Sequence, residues 1–557
     1  MTGPTKAAPM SAPASMDTSG RGRWLGLAML SLGVAMIIVD ATIVNVSVPA
    51  IIADLDLQAT QAEWINTSYA LVFAALLITL GRLGDQRGRR MMYLGGLGIF
   101  MVASVIAGFA QDGTQLIAAR LLQGVGGAMI LPATQSILNT NFRGRDRAIA
   151  FGIWGAVIGG VAAIGPLLGG WLTTNLTWRW SFFINIPIGI IAILGTLRYI
   201  KESKDEHAKA GFDLPGFLLI TFGLGAFIFG LIEGNTYGWW TPKQPFEVFG
   251  VAWPLDSISI IPFLIVGGLL ALALFTWVER RRARQGKFFL FDFTLWSFPA
   301  FRYGNLAGTI VSLGEFGLLF VLPLFLQAVL GLSAFETGLI FLSLAIGAFF
   351  AAPLAATLAK RYGPRRTVSL GMALEAVGIL ATTLLISSTV SGFALVLPLF
   401  VYGIGVGLAT AQLTSVTLSD IPVQKSGIAS GANSTMRQVG SALGIAILGT
   451  ILIVSLGNGV RTKLTGVPGL PPQAIEGIAA AMESSAGQAL TGIRAQAGTE
   501  QIVPLIDEAF VDAARLTGFA AVGFVLLGLV FSVLLPETRT REMMGDVEGE
   551  APVPEMG

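Results

Sequence analysis

The chain of 557 residues contains no cysteine, a single histidine, and only 12% charged residues. Without cysteine it forms no disulfide, no thiolate metal site and no cysteine nucleophile. The lone histidine, His207, stands in a charged stretch and has no second histidine with which to build a metal cluster or a catalytic triad. No Gly-x-x-x-x-Gly-Lys-Ser/Thr segment occurs, so the chain carries no phosphate loop for burning ATP. A net charge of +2 offers no basic surface to a nucleic acid. The reading is therefore of a protein without cofactor, metal or enzymatic activity.

What the chain has in excess is apolar length. Hydrophobic residues make up 54%, whereas soluble domains carry about 25% charge; the solvent that accounts for the difference is lipid. Apolar runs recur at about the 20 residues a helix needs to cross the hydrocarbon core. Fourteen spans are expected, over 25–50, 62–81, 92–111, 116–138, 148–172, 178–200, 213–233, 258–278, 303–329, 335–358, 366–387, 393–418, 430–455 and 515–535. Seventy glycines are scattered within these runs, where they let helix backbones approach closely. Lys and Arg crowd alternate connections, as in Arg82 to Arg90, Arg143 to Arg147, Arg198 to Lys209, Arg280 to Lys287 and Lys360 to Arg366. The positive-inside rule then places both termini in the cytoplasm. An even number of spans agrees with that.

The expected domains are a disordered tail over 1–22, a six-helix half over 23–200, two inserted helices with linkers over 201–300, a second six-helix half over 301–540, and a tail over 541–557. No cleavable leader is expected, because the first apolar run continues past Asp40. The two halves are suggested by a repeat. Gly81–Arg90 (GRLGDQRGRR) follows the second span and Ala356–Arg365 (ATLAKRYGPR) follows the tenth, with Leu, charge, Gly and Arg in matching places. The same register lays Glu315 on Asp40. Two longer external segments are expected, 234–257 and an Ala/Gly-rich 456–514. Phe288, Phe289, Phe291, Phe293 and Trp296 are expected along the cytoplasmic membrane interface.

Ionisable residues inside spans cost about 2.5–3.5 kcal/mol on insertion scales, so each one asks for a role. Asp40, Arg120, Glu315 and Glu375 are the candidates. Buried carboxylates can bind and release protons, and a buried arginine can compete with the proton; simple pairing between helices is the alternative role. Glu63, Glu233 and Glu336 fall at span ends, where solvation is expected instead. In the fifth span Ala162, Pro166, Gly169 and Gly170 share one face, suited to close contact with a neighbour. Asp85 stands at the C-terminal end of a helix, the wrong pole for an anion. It therefore needs a partner: Arg87, Arg89 or a helix N-terminus of the other half.

These segments resemble a known family. Gly81–Arg90 looks like the loop 2–3 signature of the major facilitator superfamily, and Arg120–Gly127 (RLLQGVGG) resembles its fourth-helix motif. Gly165–Gly170 (GPLLGG) resembles the fifth-helix motif of its antiporters, with Val161 where a glycine usually leads. Asp40–Pro49, Trp64–Leu71, Trp178–Pro187 and Gly427–Asn433 with Arg437 and Gln438 are similar to motifs of the fourteen-span drug:proton antiporters, the EmrB/QacA type. The resemblance covers about residues 24–540.

It implies a monomeric, multi-pass carrier of the bacterial inner membrane that exports small hydrophobic, often cationic compounds against protons. The resemblance gives proton coupling to Asp40 and Arg120, and the reading of the buried charges adds Glu315. Conformational switching falls to Gly81, Asp85, Arg87, Gly88, Arg89, Gly165, Pro166, Gly169 and Gly170. The substrate cavity is assigned to Asn45, Trp64, Tyr69, Gln327, Glu375 and Asn433. One departure stands out: Lys360 replaces Asp85 in the second loop copy, so the second half is expected to lack an equivalent latch. Export of a native lipid, lysolipid or siderophore is the nearest rival reading, and a non-transporting scaffold is a more distant one.

Overall fold

A computed structural model of the protein describes residues 20–57, 59–205, 211–248, 251–496 and 498–536. The tails expected at the two ends fall outside the described residues, apart from 20–22, and so does His207.

The chain is helical: α1 (Gly20–Leu55), α2 (Ala59–Arg87), α3 (Arg89–Gly108), α4 (Gly113–Asn141), α5 (Gly144–Asn175), α6 (Trp180–Phe183), α7 (Asn185–Tyr199), α8 (Leu214–Tyr237) and α9 (Ile261–Arg284). Then follow α10 (Pro299–Ala328), α11 (Ala334–Tyr362), α12 (Pro364–Leu385), α13 (Val396–Thr417), α14 (Ser426–Leu464), α15 (Pro472–Ser484), α16 (Ala489–Arg494) and α17 (Val503–Val533). Among the described residues twelve helices are long and apolar enough to cross a membrane. Helices α5 and α11, of 32 and 29 residues, lie where the fifth and tenth spans are expected. Large apolar side chains left exposed on these helices, such as Leu194, Phe222, Leu270, Phe349 and Val530, face the lipid.

Local chemistry sets the helix ends. Asp112 caps α4 by accepting from Gln115 N–H at 2.8 Å, Asp213 caps α8 through Gly216 N–H at 3.0 Å, and Ser333 with Glu336 forms a capping box on α11. The sixth expected span is interrupted between α6 and α7. Pro187 has no N–H to give the Phe183 carbonyl, so the helix restarts at Asn185.

The same set of neighbours occurs twice. Helix α1 packs on α5 and α7, α2 on α4, and α3 on α4 and α7; α10 packs on α14 and α17, α11 on α13, and α12 on α13 and α17. The two loop copies also turn alike, on Gly88 (φ 125°) and Gly363 (φ 87°), a backbone region that favours glycine. Between the two sets α2 packs on α14 and α5 on α11, which exchange under the repeat, and α4 on α14 and α5 on α13, which exchange likewise. The α8–α9 hairpin lies outside this scheme, with α8 against both α2 and α14.

Within the segment expected outside over 456–514, α14 runs on to Leu464 and α17 begins at Val503, with the short helices α15 and α16 between. Arg461 bridges Glu476 and Glu483 at 2.7 and 2.6 Å, fastening α15 to the end of α14. Of the aromatic run after Lys287, Phe291 is buried in protein and Phe288, Phe289, Phe293 and Trp296 are half-buried. Glu279 of α9 holds the run by accepting from Leu290 and Phe291 N–H at 2.6 and 2.8 Å. Glu233 is not solvated: it is 5% exposed and accepts from Thr67 Oγ1 at 2.7 Å. In the segment expected outside over 234–257, Glu247–Val248 and Val251–Ala252 form a short antiparallel pair.

Candidate functional site

The first cluster lies inside the N-terminal set of helices. Asp40 of α1 is fully buried, and Arg120 of α4 stands 2.5 Å from its Oδ2. Oδ1 accepts from Gln123 Nε2 at 3.0 Å and from Asn185 Nδ2 at 2.7 Å. Ser104 of α3 ties these two amides together, 2.8 Å from Gln123 and 3.1 Å from Asn185. Arg120 also donates from Nε to the Ile65 carbonyl at 3.0 Å and from Nη1 to Gln123 Oε1 at 2.8 Å. Its guanidinium lies 4.4 Å from the centre of the Tyr69 ring. Helices α1, α2, α3, α4 and α7 thus converge on one carboxylate. The break before Asn185 is what turns that amide towards Asp40. Asn185 stood in the motif-like segment Trp178–Pro187 without an assigned role, and Ser104 was not singled out; the signal available was Asn185 two residues before Pro187.

Next to this cluster, the small residues of α5 meet α1. A Cβ on Gly165 would lie 1.8 Å from Thr42 Oγ1, and one on Gly169 would lie 2.8 Å from the Ile43 carbonyl oxygen. Only glycine lets the two backbones touch two or three residues from Asp40. Gly170 is half-buried, and the side chain of Pro166 lies outside the described residues.

The second cluster lies in the C-terminal set. Glu315 of α10, Glu375 of α12 and Tyr402 of α13 are buried and within electrostatic reach of one another, and Arg437 of α14 acts on both carboxylates. Glu315 Oε2, Glu375 Oε1, Tyr402 OH and both amide atoms of the buried Gln412 have no hydrogen-bond partner among the described residues. Helix α13 has no arginine to match Arg120 of α4, so Glu315 is not held as Asp40 is. One carboxylate is saturated with donors and the other is left under-bonded.

The remaining cavity assignments are dispersed. Trp64 stacks on Phe229 of α8 at 5.4 Å, and Tyr69 is taken up by Arg120. Asn433 donates to Asn305 Oδ1 at 3.1 Å, Gln327 is half-buried near the end of α10, and the side chain of Asn45 lies outside the described residues.

The third cluster joins the two sets of helices. Asp85, at the end of α2, accepts from Arg89 Nη2 at 2.7 Å, from Gly427 N–H at 2.8 Å and from Ile428 N–H at 3.0 Å. Gly427 and Ile428 open α14, so the carboxylate sits on a helix N-terminus, where unpaired N–H groups and the dipole favour an anion. Arg89 completes the bridge by donating to the Val423 carbonyl at 2.7 Å. The backbones touch here: a Cβ on Gly81 would lie 2.5 Å from the Gly427 carbonyl oxygen. Asn139 to Ser426 at 3.3 Å and Ser434 to Gln135 at 3.2 Å extend the contact. Arg87 is exposed and takes no part. Gly88 lies against Glu202, whose carboxylate accepts from Arg90 and Met91 N–H at 3.0 and 2.9 Å and so caps α3. Glu202 was not anticipated. In the second loop copy Lys360 is exposed and has no carboxylate partner among the described residues.

Comparison with known proteins agrees with this architecture. The human organic anion transporter MFSD10 (TETRAN) superposes with a TM-score of 0.57 at 12% identity, covering 92% of this chain and 99% of that one. Multidrug transporter protein MdtP of Bacillus subtilis is 28% identical over 93% of this chain and 94% of its own. The tetracenomycin C resistance and export protein of Streptomyces glaucescens is 31% identical over 79% of this chain and 78% of its own. The sequence model of the Major Facilitator Superfamily matches residues 30–445. The chain is therefore a multi-pass membrane transporter and not an enzyme; it belongs to the major facilitator superfamily.

Proposed function

We propose that the protein exports hydrophobic, cationic, drug-like compounds across a bacterial inner membrane in exchange for protons, by alternating access between two six-helix halves. The halves are residues 23–200 and 301–540, the α8–α9 hairpin lies between them, the spans number fourteen, and both termini are cytoplasmic. Similarity to multidrug and antibiotic exporters supports the substrate class.

The observation that carries proton coupling is the saturated Asp40–Arg120 pair inside an apolar bundle. A proton arriving on Asp40 cancels the charge that holds Arg120. The arginine then loses its counter-ion without leaving low dielectric, and a buried charge without a partner costs about 3–5 kcal/mol. That sum is of the size needed to favour a different packing of α1 and α4. Under-bonded Glu315 is the acid available to a cation or a second proton. With the Asp85 end cytoplasmic, the present conformation is closed towards the cytoplasm.

The driving force suffices. One charge moved through ~100 mV is worth ~2.3 kcal/mol. A tenfold concentration ratio costs ~1.4 kcal/mol, so the voltage term alone sustains a gradient of about 50-fold.

Liposomes containing the protein and an internal pH dye test the reading. Adding ethidium under an imposed pH gradient should move protons in the wild type and not in Asp40→Asn. Absence of proton movement with every lipophilic cation tried would remove the multidrug reading and leave lipid or siderophore export.

A further inference from the structure

The hairpin helix α9 ends in a basic turn whose arginines divide into two kinds. Arg282 points inward, 2.9 Å from the buried carboxylate of Asp213 and 2.8 Å from the Phe288 carbonyl. Arg280, Arg281 and Arg284 point outward, are exposed, and have no carboxylate partner among the described residues. With Ala273, Thr276 and Trp277 they line an open groove of about 480 Å³.

Two features make this more than a solvated helix end. Two of the guanidiniums are held over aromatic rings: that of Arg280 lies 5.0 Å from the Phe293 centroid and that of Arg281 lies 5.3 Å from the Trp277 centroid. A ring holds an arginine in place without using up its N–H donors, the part that binds a phosphate oxygen pair. The groove also continues a lipid-facing stripe. Phe263, Val266, Leu270 and Leu274 are 48%, 55%, 65% and 48% exposed and recur at helical spacing up to Trp277. Apolar side chains, then an exposed tryptophan, then unpaired arginines reproduce the order of acyl chain, interface and headgroup.

Cations at a helix C-terminus are also favoured by the helix dipole. That accounts for arginine in the last turn. It does not account for a groove, or for leaving three of the four unpaired while the fourth has its carboxylate.

We propose that the outer face of α9 is a binding site for an anionic phospholipid, with the headgroup phosphate held by Arg280, Arg281 and Arg284 and the acyl chains along Phe263, Val266 and Leu270. This site anchors the hairpin to the bilayer, and it stands independently of the substrate or the coupling ion. Charge complementarity selects the anionic lipid over a zwitterionic one, whose own ammonium would face the arginines.

Photoactivatable phosphatidylglycerol in vesicles holding the full chain tests it. Labelling is expected on the peptide spanning 273–284, with phosphatidylcholine labelling it weakly. Each of Arg280→Gln, Arg281→Gln and Arg284→Gln should lower the labelling about fivefold, the share expected of one arginine at an anionic surface. Replacing Lys360, Arg361 and Arg366 together by glutamine, a threefold larger loss of charge elsewhere, should leave labelling of this peptide unchanged. The wild-type comparison of the two lipids needs no variant, so a folding defect cannot mask the result. Equal labelling by both lipids, labelling elsewhere only, or complete displacement by millimolar inorganic phosphate would each overturn the proposal.

Discussion

Arg120 reaches across from α4 to within 2.5 Å of Asp40 on α1, and solvent reaches neither side chain. Removing either partner strands the other, and the two losses are not equal. Asp40→Asn leaves an amide that still accepts from Arg120. Arg120→Leu leaves a carboxylate supported only by two amides, and frees the Ile65 carbonyl and the Tyr69 ring. Each should therefore lower stability by about 3–5 kcal/mol, with Asp40→Asn towards the lower end of that range and Arg120→Leu towards the upper. Both should stop drug-driven proton movement. Melting of the purified variants in detergent, set beside the liposome assay, separates the structural loss from the functional one.

The Asp85 latch makes a steric prediction as well as an electrostatic one. A side chain on Gly81 would press on the backbone of Gly427, so Gly81→Val should force α2 away from α14. Asp85→Asn keeps an acceptor for Gly427 N–H but loses the negative charge that pairs with Arg89, so it should loosen the latch without wedging it. Since the chain has no cysteine, Ser434→Cys supplies a single thiol at the buried contact with Gln135. A membrane-impermeant maleimide should modify it slowly in the parent. In the Gly81→Val background the rate should rise at least about tenfold, a shift of ~1.4 kcal/mol in the opening equilibrium. An unchanged rate would mean that the latch end does not open this way.

Part of this arrangement was legible in the residues and part was not. Asp40 and Arg120 stood out because charge inside an apolar run has few innocent reasons to be there. Asp85 at the wrong pole of its helix demanded a partner, but three partners were open, and only the packing of α14 decides among them. Asn185 and Ser104 carried no such mark. Uncharged polar residues are ordinary in spans, and Asn185 faces Asp40 only because Pro187 interrupts the helix. Glu233 was misjudged for the opposite reason: its place near a span end suggested water, while the fold lays α8 against Thr67 of α2. The aromatic run after Lys287 has an interfacial composition, and only the fold shows that Glu279 ties its backbone to α9 and that Phe291 is buried. Individual residues announce their costs; which neighbour meets each cost depends on contacts far apart in sequence.

Beyond the end of the first apolar span, Asp54 accepts from Arg179 Nη1 at 2.6 Å and from Trp178 Nε1 at 3.0 Å. The Arg179 bond, then the Trp178 bond, holds its carboxyl below the ordinary value of 3.8. A depressed folded-state value means that the ionised form binds these partners. Its stabilisation is complete above the unfolded value and is lost as the pH falls below about 4 towards the lowered one. Melting followed from pH 5 down to pH 3 should show a steeper loss for the wild type than for Asp54→Asn. Because Asp54 is exposed, the difference should be small and should shrink in high salt.

The inserted helix α8 touches both halves at the end opposite the latch, and the two contacts differ in kind. Towards α2, Glu233 accepts from Thr67 at 2.7 Å in a buried site and Phe229 stacks on Trp64 at 5.4 Å. Towards α14, Thr450 donates to Asn235 at 3.1 Å, a half-buried contact in which Trp239 shares the same acceptor at 2.9 Å. If this end closes when the latch opens, α8 cannot keep both partners. The weaker and wetter contact should break, and α8 should travel with α2. Joining Asn235→Cys to Thr450→Cys with a short bifunctional thiol reagent should therefore arrest exchange, and a cleavable reagent should restore it on reduction. Joining Thr67→Cys to Glu233→Cys should leave exchange running, provided the pair still folds. The reverse pattern would assign the hairpin to the C-terminal half, and tolerance of both crosslinks would mean that α2 and α14 do not separate from α8 at any stage of the cycle.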